Sequence, residues 1–280
     1  MTQLTRPDGA VIHYEVSGSG YPIFALASGG AVSGIERWQC EPIHPVEAFG
    51  GDFMVIVMDQ RYAGQSRAPL TPFSHEQALG DQLAVLDTLG ITNAHVIGAG
   101  VGCSHALRLL YEAPARITSA VLLDPVGLDE TNNMDTFYNL FRETIRVARS
   151  DGLGGVVTAA LDNPSFIANP AGGPWAQRLH DEPSFRDTLL SLGRETYIAL
   201  VVDFRDGLWP WKQTCFSIND VSLARIKAPM LVVPGNDQFH PAGVARKISV
   251  DAPNAQYFDV DDYAGEPVEA IRQFFAEHSS

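Results

Sequence analysis

The sequence predicts an α/β protein with a mainly parallel, doubly wound sheet and a helical segment inserted into it. Three observations carry that prediction. Short, near-continuous apolar runs such as FMVIVMD (residues 53–59) recur in both end regions of the chain, as expected of strands buried on both faces of a parallel sheet. Stretches with helical spacing follow several of them, and strand–helix alternation of this kind builds a parallel sheet covered on both sides. Between the two end regions, residues 128–223 show helical periodicity, scattered Gly and Pro, three of the four tryptophans and no clear strand.

Taken in order, Asp8 and Gly9 form a hairpin turn into the apolar strand AVIHYEVSG, and YPIFALASGG is a strand ending in glycines. After FMVIVMD, Ser74 caps a helix in which Leu83, Leu86 and Leu89 recur until Gly90 stops it. AHVIG is the next strand, GCSHALRLLYEAP the next helix and ITSAVLLDP the strand after that. The rhythm resumes past the insertion with the strand APMLVVPG, a helix after Pro241 and the strand AQYFDV. A closing helix follows, striped by Val268, Ile271, Phe274 and Phe275. Residues 1–127 and 224–280 are therefore expected to form one core, with 128–223 a helical cap.

At 280 residues the chain can bury an ample core without metals or disulfides. A formal charge of −14 repels phosphate backbones and anionic membranes, so neither nucleic acid nor lipid is expected as a partner. The first residues lack a signal-peptide pattern, and no run of about 18 apolar residues is present, so a cytoplasmic protein is expected. Cys40, Cys103 and Cys215 are odd in number and widely spaced, which suits reduced thiols better than a disulfide framework or a zinc site. No cofactor motif or metal-spaced cluster appears, and G-x-G-x-x-G is absent after the first strand. The expected partner is a small, largely apolar ligand, with oligomeric state open.

Three motifs in order carry a resemblance. SGGAVSG (28–34) is similar to the His-Gly-x loop, DQRYAGQSRAP (59–69) to the Asp-x-Arg-Gly-x-Gly-x-Ser loop, and GAGVG (98–102) to the Gly-x-nucleophile-x-Gly elbow of the α/β-hydrolases. The chain resembles the capped group of that superfamily, which includes proline iminopeptidases, epoxide hydrolases and C–C bond hydrolases. The resemblance spans residues 4–127 and 228–278. It implies an oxyanion pocket from the Gly29–Gly30 loop and the N–H of Val101, with Gly30 and Val101 as donors.

The elbow departs from that pattern, because Gly100 stands where the family carries Ser, Cys or Asp. Cys103 and Ser104 lie one turn further on, where they are either substitute nucleophiles or buried small residues packing the helix. His105, on the same helix, is either functional or a satisfied structural histidine. The acid expected after the seventh strand is supplied by Asp237. No histidine follows the eighth, where Asp261, Asp262 and Tyr263 stand, and His278 lies in the tail. His240, three residues after Asp237, is the acid/base candidate, oriented by that carboxylate, unless it merely opens the next helix. Asp124 ends the sixth strand at the cleft or caps a turn, while Asp59 and Arg61 hold the loop beneath. Trp209 and Trp211 give the cap aromatic surface that faces either a ligand or the core.

Two functions follow as expectations. One is a small-molecule enzyme without an acyl intermediate, catalysing direct hydrolysis or a lyase, hydratase or isomerase step. The other is a ligand-binding or interaction protein on the same fold. Serine restored at position 100 is expected to gain little acyl-enzyme chemistry, for want of a histidine after the last strand.

Overall fold

The computed structural model describes residues 2–211, 213–258 and 267–279. Eight strands form one sheet in the order β1-β2-β4-β3-β5-β6-β7-β8. They are β1 (Thr2–Thr5), β2 (Val11–Ser17), β3 (Pro22–Leu26), β4 (Met54–Met58), β5 (Ala94–Ala99), β6 (Ile117–Leu123), β7 (Met230–Val233) and β8 (Ala255–Tyr257). The β1–β2 and β2–β4 pairings are antiparallel, and the pairings from β4 to β8 are parallel.

The apolar runs explain why these strands are central. Period-two alternation sends Phe24, Leu26, Ile56, Met58, Val96 and Leu122 to one face of the sheet. Ile23, Ala25, Val55, Val57, Ile97 and Val121 go to the other. The first face is covered by α2 (His75–Thr88), α3 (Val101–Glu112) and α10 (Ala242–Asp251), and the second by α1 (Pro45–Phe49) and α11 (Pro267–Glu277). In α11, Ile271, Phe274 and Phe275 are buried, as the sequence stripe anticipates.

Between β6 and β7 lie α4 (Met134–Ser150), α5 (Gly152–Asp162), α6 (Ala176–Asp181), α7 (Pro183–Ser191), α8 (Arg194–Leu208) and α9 (Asp220–Leu223), with no strand among the described residues. No helix of the described residues is long and apolar enough to cross a membrane.

Beneath the elbow, Asp59 accepts hydrogen bonds from Ile35 N–H and Gln65 N–H, both at 2.7 Å. Arg61 pairs with Asp81 and Asp8. Both residues thus tie loops together, as expected of them. A β-carbon on Gly64, at φ +49°, would run into the Asp59 carboxylate, so glycine is required where this loop turns.

Candidate active site

The chain passes from β5 into α3 through Gly100 at φ +51°, ψ −116°. That conformation is close to forbidden for residues with a side chain. The flanking glycines permit the approach of helix and strand: a β-carbon on Gly102 would overlap the Leu26 carbonyl, and one on Gly98 would lie 2.6 Å from the Gly102 carbonyl carbon. Val101, first residue of α3, has an N–H with no intrahelical partner, at the positive end of the helix dipole. Gly29 (φ +108°) and Gly30 (φ +58°) turn the chain beside it after β3.

Above the elbow lies a cavity of about 490 Å³. Its apolar wall includes Phe137, Leu140, Phe141, Leu208 and Trp209 from the inserted helices, and its polar floor includes Ser28, Glu41, Asp124, Asp237 and His240. Trp209 is buried, with its ring edge 3.3 Å from where a β-carbon on Gly30 would lie. Its benzenoid edge therefore roofs the expected oxyanion turn.

His240 and Asp237 meet on the loop between β7 and α10. The His240 Nδ1 is 3.0 Å from both Asp237 carboxylate oxygens, and Phe239 N–H donates to Asp237 at 2.7 Å. Partial burial raises the Asp237 carboxyl, but the hydrogen bonds from His240 and Phe239 outweigh it and hold the group below its ordinary value. An ionised carboxylate only accepts, so the imidazole proton sits on Nδ1 and leaves Nε2 as an acceptor. That Nε2 lies 3.2 Å from where a β-carbon on Gly100 would be. Gly235 makes the placement feasible: a β-carbon there would strike the His240 carbonyl oxygen and lie 2.6 Å from His240 Cβ.

Asp124 follows β6 at φ +48° and lines the same cavity. Burial pushes its carboxyl up, partly offset by the nearby imidazole of His240. Ser28 and Glu41, which sequence reasoning passed over, also belong to the floor, and the Ser28 hydroxyl donates to Glu41. The available signal was position, since Ser28 follows a strand at the carboxyl end of the sheet, where open α/β sheets place ligands. Arg37 lines the cavity as well, its Nε buried without a hydrogen-bond partner.

Four sequence candidates fall elsewhere. The Cys103 thiol is buried against the Gly98 and Leu123 carbonyls at 3.2 Å, and burial pushes its pKa well up, so it has no thiolate to offer. Ser104 is spent on the Cys215 carbonyl at 2.9 Å. His105 is buried against His75 and Phe73 rather than facing the cleft, and desolvation pushes it down to about 3. Trp211 is 61% exposed, near the Tyr138 ring and outside the cavity lining. Only Pro210 lies between it and Trp209, and across it one indole turns inward and the other out. Asp261, Asp262 and Tyr263 lie outside the described residues.

The strand order, the left-handed elbow and the helices inserted after β6 together define an α/β-hydrolase scaffold. A family model described as alpha/beta hydrolase fold matches residues 26–166, just over half of the chain, and the protein belongs to that family. It is 24% identical over 257 residues to a 2-hydroxy-6-oxo-6-phenylhexa-2,4-dienoate hydrolase of Burkholderia cepacia, covering 88% of this chain and 81% of the relative. Over 115 residues it is 31% identical to RutD of Azorhizobium caulinodans, assigned as a carbamate hydrolase, covering 41% of each chain. A homoserine O-acetyltransferase of Deinococcus radiodurans is 25% identical over 199 residues, covering 65% of this chain and 54% of the relative. The chain thus spans about half or less of the length of these last two. A hydrolase from Pseudomonas aeruginosa superposes with a TM-score of 0.63 at 22% identity, covering 98% of this chain and 97% of the other. A thermophilic esterase from Thermogutta terrifontis does so at 0.64 and 18%, over all of both chains. These two likenesses describe the fold.

Proposed function

We propose that the protein is a small-molecule enzyme that works without a covalent intermediate, with His240 as general base and acid, Asp237 as its orienting partner and the N–H groups of Gly30 and Val101 as oxyanion donors. The observation that supports this most is the His240 Nε2, held as an acceptor 3.2 Å from the point where family members carry the first atom of a nucleophilic side chain. A hydrolytic turnover then runs in two steps. The imidazole takes a proton from water as the water oxygen attacks the acyl carbon, and the carbonyl electrons move onto the oxygen facing Gly30 and Val101. The carbonyl re-forms, the bond to the leaving group breaks, and the imidazolium returns the proton to that group. Each oxyanion donor contributes about 3–4 kcal/mol to such a transition state. Without water, the same base and pocket serve a lyase or isomerase step by removing a proton next to a carbonyl. The apolar wall fits a substrate with a largely hydrocarbon body and its polar atoms at one end.

Gly100 itself favours a second reading, a ligand-binding protein that keeps the pocket and has no chemistry. One experiment separates the two. Wild type and His240→Ala are assayed against p-nitrophenyl butyrate, a γ-lactone and a 2-hydroxy-6-oxodienoate. The enzyme reading expects turnover by wild type and a loss of about 10²-fold or more in the variant, the usual worth of a positioned base. Equal rates for the two proteins would remove His240 from the chemistry, and silence from wild type across the panel would leave the binding reading.

A further inference from the structure

The floor of the cavity holds a second side-chain couple that the steps above do not use. Ser28 stands two residues beyond the end of β3, and Glu41 directly follows the 3-10 segment Ile35–Cys40, so the loop between them doubles back and brings the two together over the elbow. Ser28 is buried and Glu41 half-buried. The serine hydroxyl donates to the Glu41 carboxylate. A carboxylate only accepts, so Glu41 fixes the serine hydrogen and leaves the Oγ lone pairs free. Across the elbow Asp237 does the same for His240, fixing Nδ1–H and leaving Nε2 free. A β-carbon on Gly100 would lie 3.1 Å from Ser28 Cβ and 3.2 Å from His240 Nε2, so those two atoms flank one point and are no more than about 6 Å apart. A water oxygen there meets both groups when it lies about 2.8 Å from Nε2 and about 2.8 Å from Oγ, which is one bond from Ser28 Cβ.

We propose that Ser28 and His240 clamp the attacking water between them, and that Glu41 sets Ser28 to accept a hydrogen bond rather than donate one. The inference rests on the reading of His240 as the base. A water molecule has two hydrogens. With one on Nε2 and the other on Oγ, both are engaged, and a lone pair is left facing the acyl carbon held by Gly30 and Val101. During attack the hydrogen on Nε2 passes to the imidazole while the new C–O bond forms, and it later leaves with the departing group. The hydrogen shared with Ser28 stays on the incoming oxygen, and the serine keeps its own proton on the Glu41 side, so no bond to Ser28 forms. Ser28 is thus a catalytic residue through its contact with water, and Glu41 a positioning residue acting through Ser28.

The test is steady-state kinetics of wild type, Ser28→Ala, Ser28→Thr, Glu41→Gln and His240→Ala on whichever panel substrate wild type turns over. Misplacing a reacting atom by an ångström costs up to about 10²-fold, so Ser28→Ala should lower kcat by about 10- to 100-fold with KM nearly unchanged. Glu41→Gln is nearly isosteric, yet its amide offers Oγ an N–H donor in place of one acceptor oxygen, so the serine hydrogen is no longer confined to the Glu41 side. It should lower kcat to a similar extent at unchanged melting temperature, and Ser28→Thr should restore most of the rate. Wild-type kcat in both Ser28→Ala and Glu41→Gln, with His240→Ala inactive, overturns the clamp and leaves His240 as base. A diisopropyl fluorophosphate adduct mapped to Ser28 in wild type also overturns it, because Ser28 would then be a nucleophile. No turnover by wild type overturns the clamp together with the reading beneath it.

Discussion

His240–Asp237 and His75–His105 are two side-chain pairs built around imidazole, and they differ in what surrounds the ring. His75 and His105 are sealed between α2 and α3, ring centroids 5.6 Å apart. His75 Nε2 lies 3.2 Å from the Leu208 carbonyl oxygen, and His105 Nε2 is buried with no hydrogen-bond partner. Burial pushes the two down to about 4 and about 3, with Arg108 adding to it at His75 and His75 at His105. The His240 side chain is 26% exposed to the cleft and held by a carboxylate at 3.0 Å. A histidine stripped of solvent and of an anionic partner is locked neutral and serves as packing. One that keeps a carboxylate on Nδ1 and open space at Nε2 can move a proton.

The sharpest way to break this comparison is Gly100→Ser. The sequence alone predicts little gain, for want of a histidine after the last strand, but the structure brings His240 to the elbow from the loop after β7, so a gain is the outcome expected here. The new β-carbon meets Ser28 Cβ at 3.1 Å and His240 Nε2 at 3.2 Å, and both neighbours must give by a few tenths of an ångström, at a residue already in the left-handed region. The variant should be less stable than wild type by about 1–3 kcal/mol. It should nevertheless gain fluorophosphonate labelling at position 100, from background to near completion, and Gly100→Ser/His240→Ala should lose it. Labelling that survives loss of His240 would show that the base is elsewhere.

Smaller but still large is Asp237→Asn, which lets Nδ1 accept instead of donate and so puts the proton on Nε2. Turnover should fall by at least about 10-fold with folding intact, read as kcat against melting temperature. Next comes the buried pair. An unfolded chain protonates His75 and His105 near pH 6.5, whereas the folded chain resists until about 4 and 3. Their contribution to stability is therefore complete above about pH 6.5 and lost as pH falls toward those values, each group costing about 1.4 kcal/mol per pH unit within the window. Urea unfolding at pH 7 and pH 5 should show the loss, and His105→Leu should shrink it while leaving turnover near wild type. An unchanged pH slope would break the burial account. Least of all, Trp211→Ala should shift stability by less than about 0.5 kcal/mol and leave KM unchanged, because this indole stands in solvent.

The sheet was legible because strands buried on both faces must be apolar at every position, and glycines mark where chain crosses chain. His240 and Asp237 were legible because both lie within one short loop at the carboxyl end of a strand. His105 was not, because every residue of α3 from Val101 to Leu107 is buried, so helical periodicity distinguishes no face. The Ser28–Glu41 couple escaped for another reason. It depends on how an irregular 3-10 segment folds back on itself, and nothing in the spacing of thirteen residues encodes that contact.

Gly235 carries a consequence for evolution. Its missing side chain lets the loop after β7 fold tightly enough to deliver His240 to the elbow, and one added methyl group would strike the backbone and β-carbon of that histidine. Two descendants of this chain could therefore match at Gly30, Gly100, Val101, Asp237 and His240 and still part company, one with its imidazole over the elbow and the other with it turned aside. Sorting such relatives by those five positions would group the two together. Sorting them by whether position 235 is glycine would separate them.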